Sequence, residues 1–214
     1  MWEILGYIAL GTTWTLGITL AAAAIGIAFG VPLLALARSR VAVVRGAYEL
    51  FVHVVRGVPT LVWLFITYFG VAQLGLTLSP VTASMLCLSV LAAAHMSEIY
   101  RGGLQAIRVG QWEAAGALNL SRLDTLKDVI APQLFRAVSP SVATQVIGLL
   151  KDSSLVSTIG VTDLVFRAGV MTSSYGNGLY MFGFAGLIYL ALSLLIAAFS
   201  RRIHARLSRK YAIA

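Results

Sequence analysis

The sequence predicts an all-α integral membrane protein with about five transmembrane helices, and three observations carry that prediction. Of the 214 residues, 59% are hydrophobic, and the mean hydropathy is +0.88. Several apolar stretches exceed the roughly 18 residues that mark a membrane-spanning helix. At roughly 20 residues per span, the chain has room for about five spans and short loops but for no separate soluble domain. We therefore expect residues 1–214 to form one transmembrane domain.

The distribution of charge, cysteine and histidine argues against a nucleic-acid-binding protein, a disulfide-bonded protein or a metal site. The formal charge of +8 would suit a nucleic-acid-binding protein, but the basic residues flank apolar segments, where membrane topology and anionic lipid explain them. Cys87 is the only cysteine, so it forms no intrachain disulfide, and three scattered histidines give no metal-ligand spacing. The sequence has no GxxxxGK[ST] loop, so we expect neither ATP nor a metal to bind this chain through these motifs. Because no basic n-region precedes the first apolar stretch, we expect no cleaved signal peptide.

The first apolar stretch, residues 4–37, is longer than one perpendicular span. Its first ten residues are expected at the membrane interface, where Trp2, Tyr7 and Trp14 fit. Gly26 and Gly30 form a GxxxG step that favours close helix packing. The later spans are predicted over residues 48–74, 81–100, 137–149 with a mixed polar continuation to 178, and 179–199.

The basic residues predict the orientation of these spans. Fourteen of the 16 Lys and Arg residues follow the first, third or fifth span and thus fall on one side, whereas Lys151 and Arg167 follow the fourth. Because basic residues near span ends concentrate on the cytoplasmic side, the N-terminus is expected outside and the C-terminus in the cytoplasm. The long loop of about residues 101–136 is then cytoplasmic.

This loop contains GQWEAAGALNLSRLDTLKDVIAPQ, residues 110–133, an interruption that is polar by the standard of the chain. Small side chains over residues 112–118 predict a helix with a shallow surface, and Asn119 suits a left-handed stop after it. Ser121 is a plausible N-cap for a second, amphipathic helix that Pro132 is expected to end. This pattern alone leaves two interpretations open, a surface that another protein binds or a solvated connector.

Four ordered motifs resemble the polar amino acid permeases of ABC importers. They are RGVP at 56–59, SEIYRGGLQAI at 97–107, GQWEAA at 110–115 with the IAPQ that follows at 130–133, and LLKDSSLVSTIGVTDL at 149–164. The resemblance implies the type I importer permease fold and a core of two permease subunits, either identical or paralogous. It also implies an ABC ATPase dimer bound at the cytoplasmic EAA loops, with ATP and Mg²⁺ in that partner and no cofactor in this chain. An extracytoplasmic substrate-binding protein would deliver the amino acid, whose identity the sequence leaves open.

The resemblance and the residue chemistry together define three groups of candidate site residues. The group expected to couple to the ATPase comprises Glu113, Ala114, Ala115, Asn119 and Pro132. The group expected to form a gate or a structural motif comprises Arg56, Gly57, Pro59, Glu98, Arg101, Gly102, Gly103, Lys151 and Asp152. The candidates for the substrate path are His95, Ser84, Ser89, Thr144 and Gln145.

Two positions depart from the family pattern. Asn119 stands where the family has Gly, and Asn is the mildest replacement in a left-handed turn. His95 stands where relatives more often have an aromatic residue. Two rival interpretations remain. One is a secondary transporter or channel subunit, although many such transporters contain internal repeats and five spans without a repeat do not fit that pattern. The other is a membrane scaffold or intramembrane enzyme.

Overall fold

The computed structural model describes residues 2–210, with side chains for residues 2–206, and these residues form helices joined by short turns. No strand occurs within that range. In chain order the helices are α1 Trp2–Ala9, α2 Thr12–Ala37, α3 Ala42–Gly57, α4 Thr60–Gln73, α5 Pro80–Gln105, α6 Val109–Ala117, α7 Arg122–Ile159, α8 Leu164–Tyr175 and α9 Gly178–Lys210. A π-helical stretch lies within α4, another lies within α7, and α7 ends in a 3₁₀ turn.

Three helical segments are long and apolar enough to cross a membrane, namely Trp2–Ala37, Pro80–Gln105 and Gly178–Arg206. Two bent helix pairs, α3 with α4 and α7 with α8, raise the number to five if each pair is one span. By length and composition the described residues thus agree with about five spans.

The prediction of one span over residues 48–74 is wrong in its geometry. The chain bends by 101° between α3 and α4, at Val58 and Pro59. Pro59 has no backbone N–H to continue α3 and holds the preceding residue extended, with Val58 at φ −99° and ψ 136°. α3 is instead amphipathic, because Tyr48, Val52 and Val55 are buried along one face while a polar stripe is exposed.

Pro132 does not end the second helix of the loop after α5, contrary to the sequence prediction. α7 continues through it, and the fourth span is therefore the upper part of a helix that begins at Arg122 rather than near residue 137. Pro132 is the second residue after the π-helical stretch Thr125–Ile130, where the wider turn changes the backbone pairing that a proline in a regular α-helix would break.

The centre of the fold is the packing of α2 on α5, the most extensive helix pair of the described residues. Gly26 lies against the backbone of Ala92, and Gly30 lies against Met96 and Tyr100. Because neither glycine has a Cβ, the two helices approach closely, and the GxxxG step is confirmed as a packing surface.

A second cluster of buried apolar residues joins α1, α8 and α9. Asp163 is fully buried and caps α8 by accepting a 2.8 Å hydrogen bond from the Phe166 backbone N–H, while the Tyr189 hydroxyl donates to it at 3.3 Å. Arg167 lies 4.6 Å from the centre of the Tyr7 ring, and its guanidinium donates to the Tyr7 carbonyl at 3.4 Å. The Arg167 contacts join α8 to α1, and the Asp163 contacts join the start of α8 to α9.

Candidate functional site

The loop after α5 adopts the helix-turn-helix form that the sequence predicts. α6 ends in a residue with positive φ, Asn119 at φ 50°, and the Leu120 N–H bonds to the Ala115 carbonyl across this turn at 3.1 Å. Ser121 then caps α7 by accepting a hydrogen bond from the Asp124 backbone N–H at 3.2 Å. Both sequence predictions, the left-handed Asn119 and the Ser121 cap, are confirmed.

The two faces of α6 differ in a way that the sequence pattern did not resolve. Ala115 is only 2% exposed, so it belongs to the inner face by which α6 packs on the π-helical stretch of α7. A hydrogen bond of 2.8 Å from the Gln133 side chain to that of Gln111 supports the same packing. Glu113 is exposed and lies two residues before Ala115. Because two residues correspond to about 200° of helix rotation, Glu113 lies on the opposite, outer face of α6. Ala114 is exposed at the side of the helix.

Large apolar side chains surround this turn, and the described part of the chain leaves them exposed. Leu118 is 74% exposed and Leu123 is 78% exposed, and Leu126 is also exposed. Leu118 directly follows α6, and Leu123 and Leu126 lie in the first two turns of α7, near the charged Glu113 and Arg122 in the sequence. An exposed apolar patch rimmed by charges is typical of a surface that another protein covers.

A second candidate site is a polar cavity of about 390 Å³ between α3 and α5. In its lining the Glu98 carboxylate accepts two hydrogen bonds from the Arg101 guanidinium, at 2.9 and 2.7 Å, as a spacing of three residues on one helix allows. The Tyr48 hydroxyl donates to Glu98 at 2.7 Å, and Arg56 Nη1 lies 3.6 Å from its Oε2. Two helices are thus connected through one carboxylate.

Exposure shows which of these contacts stabilises the fold. The Glu98 side chain is 18% exposed, whereas the side chains of Arg56 and Arg101 are 42% and 47% exposed. The bidentate Glu98–Arg101 contact has favourable geometry, but the open Arg56 contact is long and screened by solvent. Tyr48 is buried and connects α3 to α5, so we assign it the main packing role at this cavity.

His95 is the one candidate for the substrate path that the described structure places in this cavity. It is half-buried, one turn from Glu98 on α5. Ser84 and Thr144 are occupied within their own helices, because they donate to the carbonyls of Pro80 and Pro140 at 2.7 and 3.1 Å. Ser89 is buried, with no hydrogen-bond partner for its hydroxyl among the described atoms. Gln145 is half-buried on α7.

The remaining motif residues lie at helix junctions. Gly57 and Pro59 flank the bend between α3 and α4, and Gly102 lies on an open side of α5. Gly103 lies directly against Val138 and Leu134 of α7, where a Cβ would collide with both side chains.

Lys151 and Asp152 point to different neighbours, as their adjacency in a helix requires. Asp152 accepts a hydrogen bond from Thr60, the first residue of α4, at 3.5 Å. Lys151 is exposed beside a small cavity whose lining includes Phe182 and Tyr189 of α9.

Sequence reasoning missed Tyr48 and the polar stripe of α3. The stripe consists of Arg45, Glu49, His53 and Arg56, all exposed and spaced at three or four residues, and only Arg56 was among the predicted site residues. That spacing is a helical period, so the signal was present in the sequence. It was overlooked because the segment was treated as part of an apolar span.

The known proteins that this chain resembles are membrane components of transport systems. A family model described as the binding-protein-dependent transport system inner membrane component matches residues 22–209. The probable amino-acid ABC transporter permease protein YckA of Bacillus subtilis (strain 168) is 35% identical over 211 residues, which cover 98% of this chain and 91% of that protein. The glutamate/aspartate import permease protein GltK of Escherichia coli O157:H7 is 36% identical over 210 residues, which cover 92% and 94%.

Two solved structures share the fold. A chain from the crystal structure of an amino acid ABC transporter with histidines matches with a TM-score of 0.90 at 28% identity, over 96% of both chains. A chain of the MetNI methionine ABC transporter in an inward-facing conformation matches with a TM-score of 0.77 at 18% identity, over 96% of this chain and 98% of that one. The second likeness shows the fold alone.

Proposed function

This chain belongs to the family of binding-protein-dependent transport system inner membrane components, and we propose that it is the permease subunit of an ABC importer for a polar amino acid. Its fold is that of a type I importer permease. Relatives that match most of the chain are named as amino-acid permeases, which supports an amino acid as the substrate class. The translocation path would lie between this chain and a second permease subunit.

The observation that carries the proposal is the exposed apolar patch on the α6–α7 turn. Leu118 and Leu123 are mostly exposed on a segment that a left-handed residue and a helix cap hold in one conformation. A solvated connector would not need three exposed leucines on a turn of defined shape. An ATPase partner that covers this patch gains about 1.5–3 kcal/mol for each leucine it buries.

The structure of this turn would allow movement of the ATPase partner to be transmitted to the membrane domain. The turn continues into α7 without a break, and Ala115 packs α6 onto the π-helical stretch of that helix. Closure of an ATPase dimer on ATP would therefore displace α7 and with it the fourth span. The resulting mechanism is alternating access, in which ATP and Mg²⁺ belong to the partner and this chain hydrolyses nothing.

The test replaces the exposed leucines without touching a span. We expect Leu118→Asp and Leu123→Asp to lower co-purification of the ATPase at least tenfold each, because the loss of about 1.5–3 kcal/mol exceeds 1.4 kcal/mol per decade. Uptake and binding-protein-stimulated ATP hydrolysis should fall with it. Glu113→Lys, on the outer face of α6, should act in the same direction.

The matched control is Leu76→Asp, a leucine that is 64% exposed in the turn between α4 and α5, at the opposite end of α5. It should leave ATPase co-purification unchanged. Ala115→Trp is expected to disrupt the packing of α6 itself, so it is not the cleanest variant. Full ATPase binding by the Leu118→Asp/Leu123→Asp double variant would show that the turn is a connector and would remove the basis for the proposal.

We place the N-terminus outside the bacterial cytoplasmic membrane and the C-terminus in the cytoplasm, on the basis of the asymmetric distribution of Lys and Arg. In a Cys87→Ala background, Thr77→Cys and Asn177→Cys should react with an impermeant thiol reagent applied to intact cells with a permeable outer membrane. Arg108→Cys, exposed before α6, should react only after lysis. Labelling of Arg108→Cys from outside would reverse the orientation.

A further inference from the structure

A crevice of about 1030 Å³ lies between α2, α7 and α9. Ala23, Tyr100 and Val138 form its buried floor, while Phe135 and Phe199 stand at its rim, 62% and 67% exposed. Its length along α9, from Leu195 to Ile203, is about 12 Å at 1.5 Å per residue. That length is close to one leaflet, about half of the roughly 30 Å hydrocarbon core.

One charged side chain, Lys127, lies in the lining, and none of the described lining residues is acidic. Lys127 is exposed and forms no ion pair with any carboxylate of the described residues. It belongs to the π-helical stretch of α7, on the side that the basic residues predict to be cytoplasmic. At the same end, Ser200 and Ile203 of α9 line the crevice.

We propose that this crevice binds an anionic phospholipid of the cytoplasmic leaflet, with an acyl chain along the apolar floor and the phosphate at Lys127. The apolar lining suits hydrocarbon and gives a polar amino acid few hydrogen-bonding partners. A single unpaired cation at the cytoplasmic mouth suits a phosphate, and basic pockets between transmembrane helices on that side are typical anionic-lipid sites. A headgroup with net negative charge attracts this cation more strongly than a zwitterionic one does.

The position of Lys127 connects this site to the transport cycle. The crevice is bordered by Ala131 and Pro132, which continue α7 from the turn that carries Leu123. A lipid lodged there would lie against α7 and α9 at the level where α7 leaves the loop. Its headgroup would therefore influence how far α7 moves when the partner closes, so transport would depend on anionic lipid.

The test uses the whole importer complex in nanodiscs and a tryptophan placed at the rim by Phe199→Trp. The four native tryptophans lie outside the crevice lining, so the added signal is the difference between variant and parent. Phosphatidylglycerol brominated in its acyl chains should quench the added tryptophan more strongly than brominated phosphatidylcholine at equal mole fraction. The expected preference is about fivefold in apparent affinity, the contribution of one basic residue near an anionic surface.

Lys127→Gln should abolish this preference, while Arg40→Gln should retain it because Arg40 is exposed and does not line the crevice. Phe135→Trp, on the opposite rim, provides a second reporter if Phe199→Trp does not fold. Equal quenching by both lipids would overturn the headgroup assignment. No quenching by either lipid from both reporters would overturn the proposal altogether and indicate that protein, such as a second permease subunit, fills the crevice.

Discussion

The close packing of α2 on α5 makes Gly26→Ala the most direct test of the fold. A Cβ at Gly26 would lie 2.9 Å from the carbonyl carbon and 3.2 Å from the Cα of Ala92, and it would overlap the Ala92 Cβ. These atoms belong to a helix backbone and its first side-chain carbon, so no rotamer change relieves the clash. α2 must move away from α5, which loosens the packing of Ala22 and Gly30 beside it.

The magnitude follows from a comparison with Gly17→Ala. Gly17 lies on the same helix and is exposed, and a Cβ there meets nothing within 4 Å. Both substitutions share the gain in helix propensity, about 1 kcal/mol, so their difference isolates the steric cost. Overpacking of this kind costs about 1–3 kcal/mol, and a domain of this size loses about 2–4 °C per kcal/mol.

The measurement is the thermal midpoint of the purified complex in nanodiscs of fixed lipid composition. Gly26→Ala should melt several degrees below Gly17→Ala, and Gly26→Ala combined with a smaller partner, Ala92→Gly, should recover part of the loss. Equal midpoints for Gly26→Ala and Gly17→Ala would show that α2 and α5 do not pack at this distance, and the central packing described above would be wrong.

Two further predictions concern the loop and the cavity. Asn119→Gly should be neutral or slightly stabilising, whereas Asn119→Val should cost about 1–2 kcal/mol because a β-branched residue is strained at positive φ. The rate of proteolysis of the loop in the assembled complex measures this difference in stability. Equal protection of both variants would refute the prediction. His95→Ala should change the affinity or range of amino acid uptake while ATPase co-purification stays intact, since His95 lines the polar cavity between α3 and α5; unchanged uptake kinetics across the amino acids tested would return His95 to a packing role.

Local chemistry explains why some features were predictable from sequence. Asn119 and Ser121 act on backbone groups within a few residues of themselves, so their turn and cap could be inferred without knowledge of the fold. The Glu98–Arg101 pair is three residues apart on one helix, which is also a local relation. The membrane class follows from composition, because a chain so apolar has no other suitable solvent.

Other features depend on contacts between distant parts of the chain. The burial of Ala115 depends on how α6 folds back onto α7, and the contact of Tyr48 with Glu98 joins residues 50 apart in the sequence. Pro132 was expected to stop a helix, because proline lacks the N–H that a regular α-helix pairs. The structure instead continues through it after a π-helical stretch, which sequence patterns do not signal. Sequence by itself therefore determined the solvent and the shape of the turn between α6 and α7, which arise from hydropathy and short-range hydrogen bonds. Only the tertiary structure decided which face of each helix is covered, because burial depends on what packs against a surface as well as on the residues that form it.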